Sequence, residues 1–311
     1  MEFFHKPVLV AEVISSLQCR PGAIYLDGTV GGGGHAFEIL KCSAPDGRLI
    51  GIDADGDALR EAEKRLAPFG DRKILVRGNF ADMETILSGL KIEAVDGILL
   101  DLGISSHQLD TAERGFSFSL DAPLDMRMDR SRGRSAQDLV QTLSADELEG
   151  IIREFGEERW AGRVARTIVA RRALSPIRTT GDLAAVVAGA VPKSADTDRI
   201  HPATRTFQAI RIAVNDELAG LERALAGDMR RLKPGGRFSV ISFHSLEDRI
   251  VKNAFRTAEK GCVCPPDLPV CACGRKPVMK VITRRPVVPG EAEIRENPRA
   301  RSAKLRTAER I

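Results

Sequence analysis

The sequence predicts an α/β fold built on a mostly parallel β-sheet. Short apolar runs at residues 23–27, 48–53, 73–77 and 97–101 alternate with segments of helical composition, which is the spacing of parallel strands joined by helices. Three of these runs end in aspartate, and a glycine-rich stretch follows the first run. Ligands of open α/β sheets bind at the carboxyl ends of the strands, so we expect a site there.

The first strand leads into the most informative stretch of the chain. Asp27 closes the strand, and four consecutive glycines follow at residues 31–34. Glycines let backbone N–H groups approach a ligand, and a helix opening at residues 35–37 directs its positive end to the same place. The second strand ends in Asp53, close to where a βαβ unit presents an acid to ribose hydroxyls. The stretch therefore predicts a nucleotide-like cofactor.

Two cofactors compete for this loop. Gly31, Gly33 and Ala36 match the dinucleotide pattern G-x-G-x-x-G/A, which favours a nicotinamide or flavin enzyme. Asp27, however, stands four residues before Gly31, as in methyltransferases that use S-adenosylmethionine (SAM), where the acid can neutralise the amino acid end of the cofactor. A third interpretation is an ordinary glycine-rich turn whose carboxylate caps a helix.

Polar residues also follow the third and fourth strands. Phe80 comes after the third strand, where it either stacks on an adenine or packs in the core. The fourth strand ends in Asp101, and the polar run that follows contains Ser105 and Gln108. Strand-end loops of this kind carry chemistry. The alternative is that Asp101 and Ser105 cap a helix and that Gln108 is exposed.

The alternation stops after residue 108. Residues 109–200 show mostly helical signals, such as Ser144-x-x-Glu147 at the start of a helix. A long helix from 203 to about 231, a Pro-Gly-Gly turn, a fifth strand at 238–243 and a final antiparallel pair at 278–283 and 302–307 then follow. We predict one domain of residues 1–108 and 201–311 and an inserted helical subdomain, residues 109–200, for substrate recognition.

Composition and charge favour a soluble protein with a polyanionic partner. The chain has 311 residues, 43% of them hydrophobic, and no apolar run reaches the roughly 18 residues of a membrane helix. Its first residues lack the layout of a secretion signal, so we expect a cytoplasmic protein. The net charge is +4, but residues 275–311 hold 11 Lys/Arg against 4 Asp/Glu. This segregation indicates nucleic acid, unless the segment is simply a solvated tail.

At this point the sequence resembles a known family, the MraW-type ribosomal RNA small-subunit methyltransferases H of bacteria. The resemblance covers nearly the whole chain and is carried by several blocks. These are residues 5–9 (HKPVL), 27–29 with 33–35, 96–110, 115–118 with 124–129, 201–208 (HPATRTFQ), 241–249 (ISFHSLEDR) and 297–302 (NPRARS).

The resemblance implies a class I SAM-dependent methyltransferase fold, Rossmann-like, split by a helical insert. It also implies methylation of the N4 amino group of a cytidine in the decoding centre of 16S rRNA. The substrate would be the small ribosomal subunit or a late precursor. Together with Asp27, the cofactor contacts implied by the matching motifs are Gly33, Gly34, His35, Asp53, Phe80, Asp101 and Gln108, and the RNA-binding candidates are Arg205, Arg211, Arg299 and Arg301.

Transfer of a methyl group from SAM requires positioning and the exclusion of water, and no metal. We predict that Asp101 accepts a hydrogen of the cytidine amino group. If Asp101 mainly contacts SAM, Ser105 or a backbone carbonyl takes that place, and His244 accepts the released proton, unless His244 is a structural histidine. Methylation at cytosine C5 would need a cysteine nucleophile, and no cysteine follows the fourth strand or ends the fifth.

Four cysteines lie close together near the carboxyl end of the chain. Cys262, Cys264, Cys271 and Cys273 form two C-x-C pairs, and clustered thiolates favour tetrahedral zinc. The usual zinc pairs are C-x₂-C, so a proline-rich loop with reduced thiols is the alternative. Two other classes of function also stay open: a nicotinamide oxidoreductase and an RNA-binding protein without catalytic activity.

Overall fold

The apolar runs of the sequence form one seven-stranded sheet within the described residues. The computed structural model describes residues 7–192, 201–262, 264, 270 and 273–311. Their strand order is β3-β2-β1-β4-β5-β7-β6, parallel from β3 to β5, with β7 antiparallel to both β5 and β6. The strands are β1 (Ile24–Asp27), β2 (Arg48–Asp53), β3 (Lys73–Arg77), β4 (Val95–Asp101), β5 (Leu232–Ser242), β6 (Met279–Val281) and β7 (Lys304–Arg310).

Contacts divide the chain into two units, Met1–Gly103 with Leu218–Ile311 and Ile104–Glu217. The first unit contains the sheet. Its helices are α1 (Val10–Leu17), α2 (Gly34–Cys42), α3 (Gly56–Leu66), α4 (Met83–Gly89), α11 (Glu217–Asp228), of which Glu217 belongs to the second unit, α12 (Ser245–Lys260) and α13 (Glu291–Glu296).

Alternation along the strands divides the core of this unit in two. Ile98 and Val240 pack with residues of α4, α11 and α12, whereas the next residues, Leu99 and Ile241, pack with residues of α1, α2 and α3. Successive side chains of a strand point to opposite faces, so helices cover both faces of the sheet. The predicted Rossmann-like fold is confirmed.

The second unit is helical and has its own core. It contains α5 (Ser106–Asp110), α6 (Ala136–Thr142), α7 (Ala145–Gly156), α8 (Ala161–Leu174), α9 (Thr180–Ala190) and α10 (Thr204–Asn215). Serine or threonine caps close the start of most of these helices, as Ser144 and Glu147 do for α7. The predicted bounds of the insert, 109–200, remain a prediction, and by contacts α10 belongs with the helical unit.

Two predicted elements differ from the structure. The helix predicted from 203 to about 231 is two helices, because Asp216 between α10 and α11 adopts a left-handed conformation with φ of 52°. The fifth strand begins earlier than predicted, at Leu232, so that Val95 of β4 pairs with it before an irregularity in the register. The final antiparallel strands occur where expected. Within the described residues, no helix is long and apolar enough to cross a membrane.

A buried acid at the end of α11 has an energetic consequence. Asp228 is 1% exposed, and its Oδ1 has no hydrogen-bond partner among the described residues. Burial, and then the nearby charge of Glu84, raise the pKa of Asp228 to about 7. The folded protein therefore holds this proton over a pH range in which the unfolded chain has released it, so the residue destabilises the fold increasingly as pH rises toward 7.

We predict that Asp228→Asn raises the free energy of unfolding by about 1–3 kcal/mol at pH 8. The gain should shrink as pH falls from 7 toward the ordinary pKa of 3.8, and below that value wild-type Asp228 is protonated in both states. Urea unfolding across this pH range measures it, with Glu222→Gln, an exposed acid of the same helix, as the matched control. A gain that does not change with pH would contradict the prediction.

Candidate active site

The carboxyl ends of β1, β2 and β4 bring Asp27, Asp53 and Asp101 to one edge of the sheet. Asp27 is 1% exposed, and one of its oxygens accepts the N–H of Thr29 at 3.1 Å. Burial, with a further effect of the Asp53 charge, raises the pKa of Asp27 to about 7. The strand end predicted to face a ligand is thus a buried carboxyl that is readily neutralised by a proton or a cation.

Asp53 holds the glycine loop in place. Its Oδ2 accepts the N–H of Gly31 at 2.8 Å, and its Oδ1 accepts the N–H of Asp55 at 2.8 Å. The N–H of Val30 donates to the carbonyl of Ile52 at 2.9 Å, so the loop is tied to the end of β2 at two points. The residue predicted to contact ribose therefore also shapes the loop between β1 and α2.

The loop lies close to its surroundings at both ends. A Cβ on Gly28 would come within 2.5 Å of Leu100 Cδ2 and 3.2 Å of Phe80 Cβ, so Phe80 lies beside the loop, half-buried. A Cβ on Gly34 would come within 2.9 Å of Pro7 Cγ. Gly33 has a φ of 79° where α2 begins, a conformation that favours glycine. The backbone can approach a ligand here because these positions lack side chains.

Asp101 carries the least satisfied carboxyl of this edge. Its backbone N–H donates to Thr29 Oγ1 at 2.6 Å, whereas its side-chain Oδ1 is buried with no hydrogen-bond partner in the described part of the chain. Burial, followed by the charges of Asp27 and Glu247, raises the pKa of Asp101 well above its usual range. A buried oxygen of this kind is typical of a position that binds a ligand or substrate group.

His35 contacts the other oxygen of this carboxyl. Its Nε2 lies 2.8 Å from the carbonyl of Val8 and its Nδ1 lies 3.5 Å from Asp101 Oδ2. Because a carbonyl only accepts hydrogen bonds, the Nε2 atom carries a proton. A second proton, on either Nδ1 or Asp101 Oδ2, would complete the contact between these two atoms. The raised pKa of Asp101 agrees with that proton staying in place at neutral pH.

His244 follows β5 and begins α12. Its Nδ1 accepts the N–H of Glu247 at 3.4 Å, and Glu247 Oε2 accepts the N–H groups of Phe243 and His244 at 2.8 and 3.2 Å. Glu247 Oε1 lies 3.1 Å from His244 Nε2. His244 therefore has a capping role in the structure, and its role as a proton acceptor remains a prediction.

Ser105 and Gln108 lie in the second unit, at the start of α5. The Ser105 hydroxyl accepts the N–H of Gln108 at 3.2 Å, and the Gln108 side-chain oxygen accepts the N–H of Ser105 at 3.0 Å. Gln108 is buried. Ser105 thus caps a helix, as one alternative held, whereas Gln108 is not exposed; the catalytic and cofactor roles predicted for these two residues remain predictions.

The arginines predicted to bind RNA differ in how they are partnered. Arg211 is 14% exposed, and its guanidinium donates to both oxygens of Glu217 at 2.9 and 2.8 Å, which gives it a structural role. Arg205 is exposed and donates to the carbonyl of Glu157 at 3.3 Å. Arg299 and Arg301 are exposed on either side of buried Ala300. Arg205, Arg299 and Arg301 therefore keep the accessibility that an RNA contact needs.

Three of the four clustered cysteines come together. The Sγ atoms of Cys262, Cys264 and Cys273 all lie within 4.8 Å of one another, and those of Cys262 and Cys273 are 3.8 Å apart. Cys271 lies outside the described residues.

The sequence alone does not identify two residues of the active-site edge, Thr29 and Glu247. The spacing of His244 and Glu247 is that of a capping box, but the unusual cap residue hides it.

Comparison with known proteins gives a match over the whole chain. A model of the MraW methylase family matches residues 2–311. The chain is 64% identical over 308 residues to the ribosomal RNA small subunit methyltransferase H of Syntrophus aciditrophicus (strain SB), with 99% of this chain and 98% of that protein covered. Proteins of the same name from Geotalea uraniireducens (strain Rf4) and Geobacter sulfurreducens are 61% and 57% identical, with 99% and 100% of their lengths covered.

We predict that Gly28→Ala lowers the free energy of unfolding by about 1–3 kcal/mol, because the new methyl group would overpack against Leu100 and Met83. Gly89→Ala is the matched control, since nothing lies within 4 Å of a Cβ there, and it should be neutral or slightly stabilising. Urea unfolding of both variants measures the difference. Equal stabilities would show that the loop has room for a side chain.

Proposed function

The chain belongs to the MraW methylase family, and from that premise we propose that it methylates the N4 amino group of a cytidine in the decoding centre of small-subunit rRNA, with SAM as methyl donor. The substrate class is supported by the names of relatives that match over their whole length. The observation that carries the chemistry is the buried Asp101 Oδ1 at the end of β4, an acceptor with no hydrogen-bond partner among the described residues. An amino group that must lose a hydrogen needs such an acceptor.

The residues of the sheet edge fit SAM. The buried Asp27 carboxyl offers a counter-charge to a cationic ligand, Asp53 fixes the glycine loop, and half-buried Phe80 lies beside that loop. Gly28 and Gly34 leave space that a Cβ would fill. We propose Asp27, Gly33, Gly34, His35, Asp53, Phe80, Asp101 and Gln108 as the cofactor-binding residues.

When bound, SAM supplies an activated methyl group, so the protein has to orient the nucleophile and remove its proton. A positive charge beside Asp27 and Asp101 favours the ionised form of both carboxyls, which otherwise have raised pKa values. Asp101 Oδ1 then accepts a hydrogen bond from the cytidine amino group. This contact helps the amino nitrogen become pyramidal, so that the nitrogen lone pair leaves conjugation with the ring. The proton released from nitrogen passes to Asp101 or to His244. If Asp101 mainly contacts SAM, Ser105 or a backbone carbonyl accepts the hydrogen bond of the amino group instead.

The cysteines argue against methylation at carbon. A C5 mechanism needs a thiolate near the base, and no cysteine occurs in residues 95–110 or 238–249. Cys19 follows α1, and burial raises its pKa to about 12, which leaves it almost entirely as an unreactive thiol at neutral pH. A nitrogen nucleophile that needs only a hydrogen-bond acceptor suits the residues present at this edge.

We predict label transfer from methyl-labelled SAM to small subunits isolated from cells without the modification, with the label recovered as N4-methylcytidine after digestion. Asp101→Asn should bind SAM more weakly and, at saturating SAM, lower kcat by about 10²-fold or more, since an amide cannot take up the proton. Asp71→Asn, at an exposed position, is the control. Label in another nucleoside would overturn the chemistry, and an unimpaired Asp101→Asn variant would overturn the role of Asp101.

We also propose a structural zinc ion at the cysteine cluster, held by Cys262, Cys264, Cys273 and Cys271. Four thiolates placed tetrahedrally at about 2.3 Å from zinc lie about 3.8 Å from one another, which is the distance between the sulfurs of Cys262 and Cys273. The same distance is far longer than a disulfide bond of about 2.05 Å. The ion would fix the chain between α12 and β6, and it takes no part in methyl transfer.

Purified protein should therefore contain about one zinc ion per chain by elemental analysis, and Cys264→Ser should lose it and lower the unfolding temperature. Cys42→Ser, which removes an exposed cysteine at the end of α2, should retain the metal. Wild-type protein that is fully folded without metal, and whose unfolding temperature does not respond to added zinc, would refute the site.

A further inference from the structure

A groove runs between α12 and the antiparallel strands at the end of the sheet. Lys252 and Arg256 of α12 line one wall, Arg284 just after β6 lines the other, and Phe255 and Val281 form an apolar floor. The groove encloses about 420 Å³, its open mouth included. The cavity volume proper is about 100 Å³, smaller than the roughly 300–1,000 Å³ of pockets that enclose a whole ligand, so the groove suits a single small group.

The groove is basic, and its cations differ in how they are partnered. Buried Arg306 donates to both oxygens of Asp248 at 2.6 and 3.2 Å, so its charge is neutralised within the protein. Glu259 is the acid of the lining; it accepts the N–H of Val281 at 3.0 Å and lies 3.8 Å from Arg284.

Two of the cations, Lys252 and Arg256, form no ion pair with another described residue. Arg284 is 81% exposed. The charge of Lys252 acts on Asp248, four residues earlier in α12. The four basic residues of the lining against Glu259 and Asp248 leave a formal charge of +2. The apolar floor limits the screening of these charges by water.

The groove is separate from the candidate active site. The first residue of α12, Ser245, follows the carboxyl end of β5, the edge at which Asp101 lies. A helix rises 1.5 Å per residue, so Lys252 and Arg256 lie about 10 and 16 Å along the axis from that edge. A ligand held in the groove would therefore be remote from the reacting atoms.

We propose that this groove binds a phosphodiester of the RNA substrate, at a nucleotide outside the one that is methylated. The inference rests on the proposed function, since that function supplies the RNA. Phosphate contacts by lysine and arginine set the position of a protein on nucleic acid without reading its sequence, and an exposed guanidinium suits a phosphate because its N–H groups can donate to two oxygens. The cations come from two distant parts of the chain, α12 and the basic segment at residues 275–311.

The test compares two double variants with the same change in charge. Lys252→Gln with Arg256→Gln removes cations from the groove, whereas Arg48→Gln with Lys64→Gln removes exposed cations at the start of β2 and in α3. Binding to protein-free small-subunit rRNA is measured over a salt series, with SAM affinity as the check on folding. The groove variant should bind about three- to tenfold more weakly at 0.1 M salt. The slope of log K against log salt, which is negative, should become smaller in magnitude by about 1. The control variant should change neither.

Equal slopes for the two double variants would overturn the proposal. So would an unchanged slope on protein-free RNA combined with weaker binding to assembled subunits, since that result assigns the groove to an acidic protein surface. The proposed function fails separately. If the wild type forms no N4-methylcytidine while the groove variant still loses salt dependence, the methylation chemistry is wrong and the phosphate site stands.

Discussion

The burial of acidic residues at one edge of the sheet is the constraint on which the rest of the site depends. Carboxylates in a dry environment need donors or cations to offset their desolvation. Asp27 has the N–H of Thr29, and Asp53 has those of Gly31 and Asp55. Asp101 has no donor to its Oδ1 in the part of the chain that the structure describes, and it is also repelled by Asp27 and Glu247. This imbalance is typical of a functional site that a ligand completes.

Much of this edge is predictable from the sequence, because strand ends and glycine loops are local features. Apolar runs closed by aspartate fix where β1, β2 and β4 end, and the spacing of Asp27, the glycines and Asp53 fixes the loop between them. The division of α10 from α11 is not predictable in this way. Helical periodicity continues through Asp216, and only the left-handed backbone at that residue separates the two helices.

The roles of individual polar residues are harder to predict, because the same residue types cap helices and perform catalysis. Their positions after strands make Ser105 and His244 candidates for catalysis, and in the structure both cap the start of a helix. A cap is defined by backbone angles and by the N–H groups that lie near the side chain, and neither is visible in a sequence. A capping residue can still donate or accept one further hydrogen bond, so a structural role does not exclude a chemical one.

The availability of basic residues to a partner is also hard to predict from the sequence. Counting lysines and arginines correctly indicates a basic carboxyl-terminal segment, but the count does not show which charges are available to a partner. Arg211 and Arg306 are each held by two carboxylate oxygens and are 14% and 8% exposed, respectively. Breaking such a pair would leave a buried carboxylate uncompensated, which costs several kcal/mol. An RNA phosphate would therefore be bound more favourably by an exposed cation such as Arg284, which lies 3.8 Å from Glu259 in a single exposed contact, than by arginines that the fold already uses.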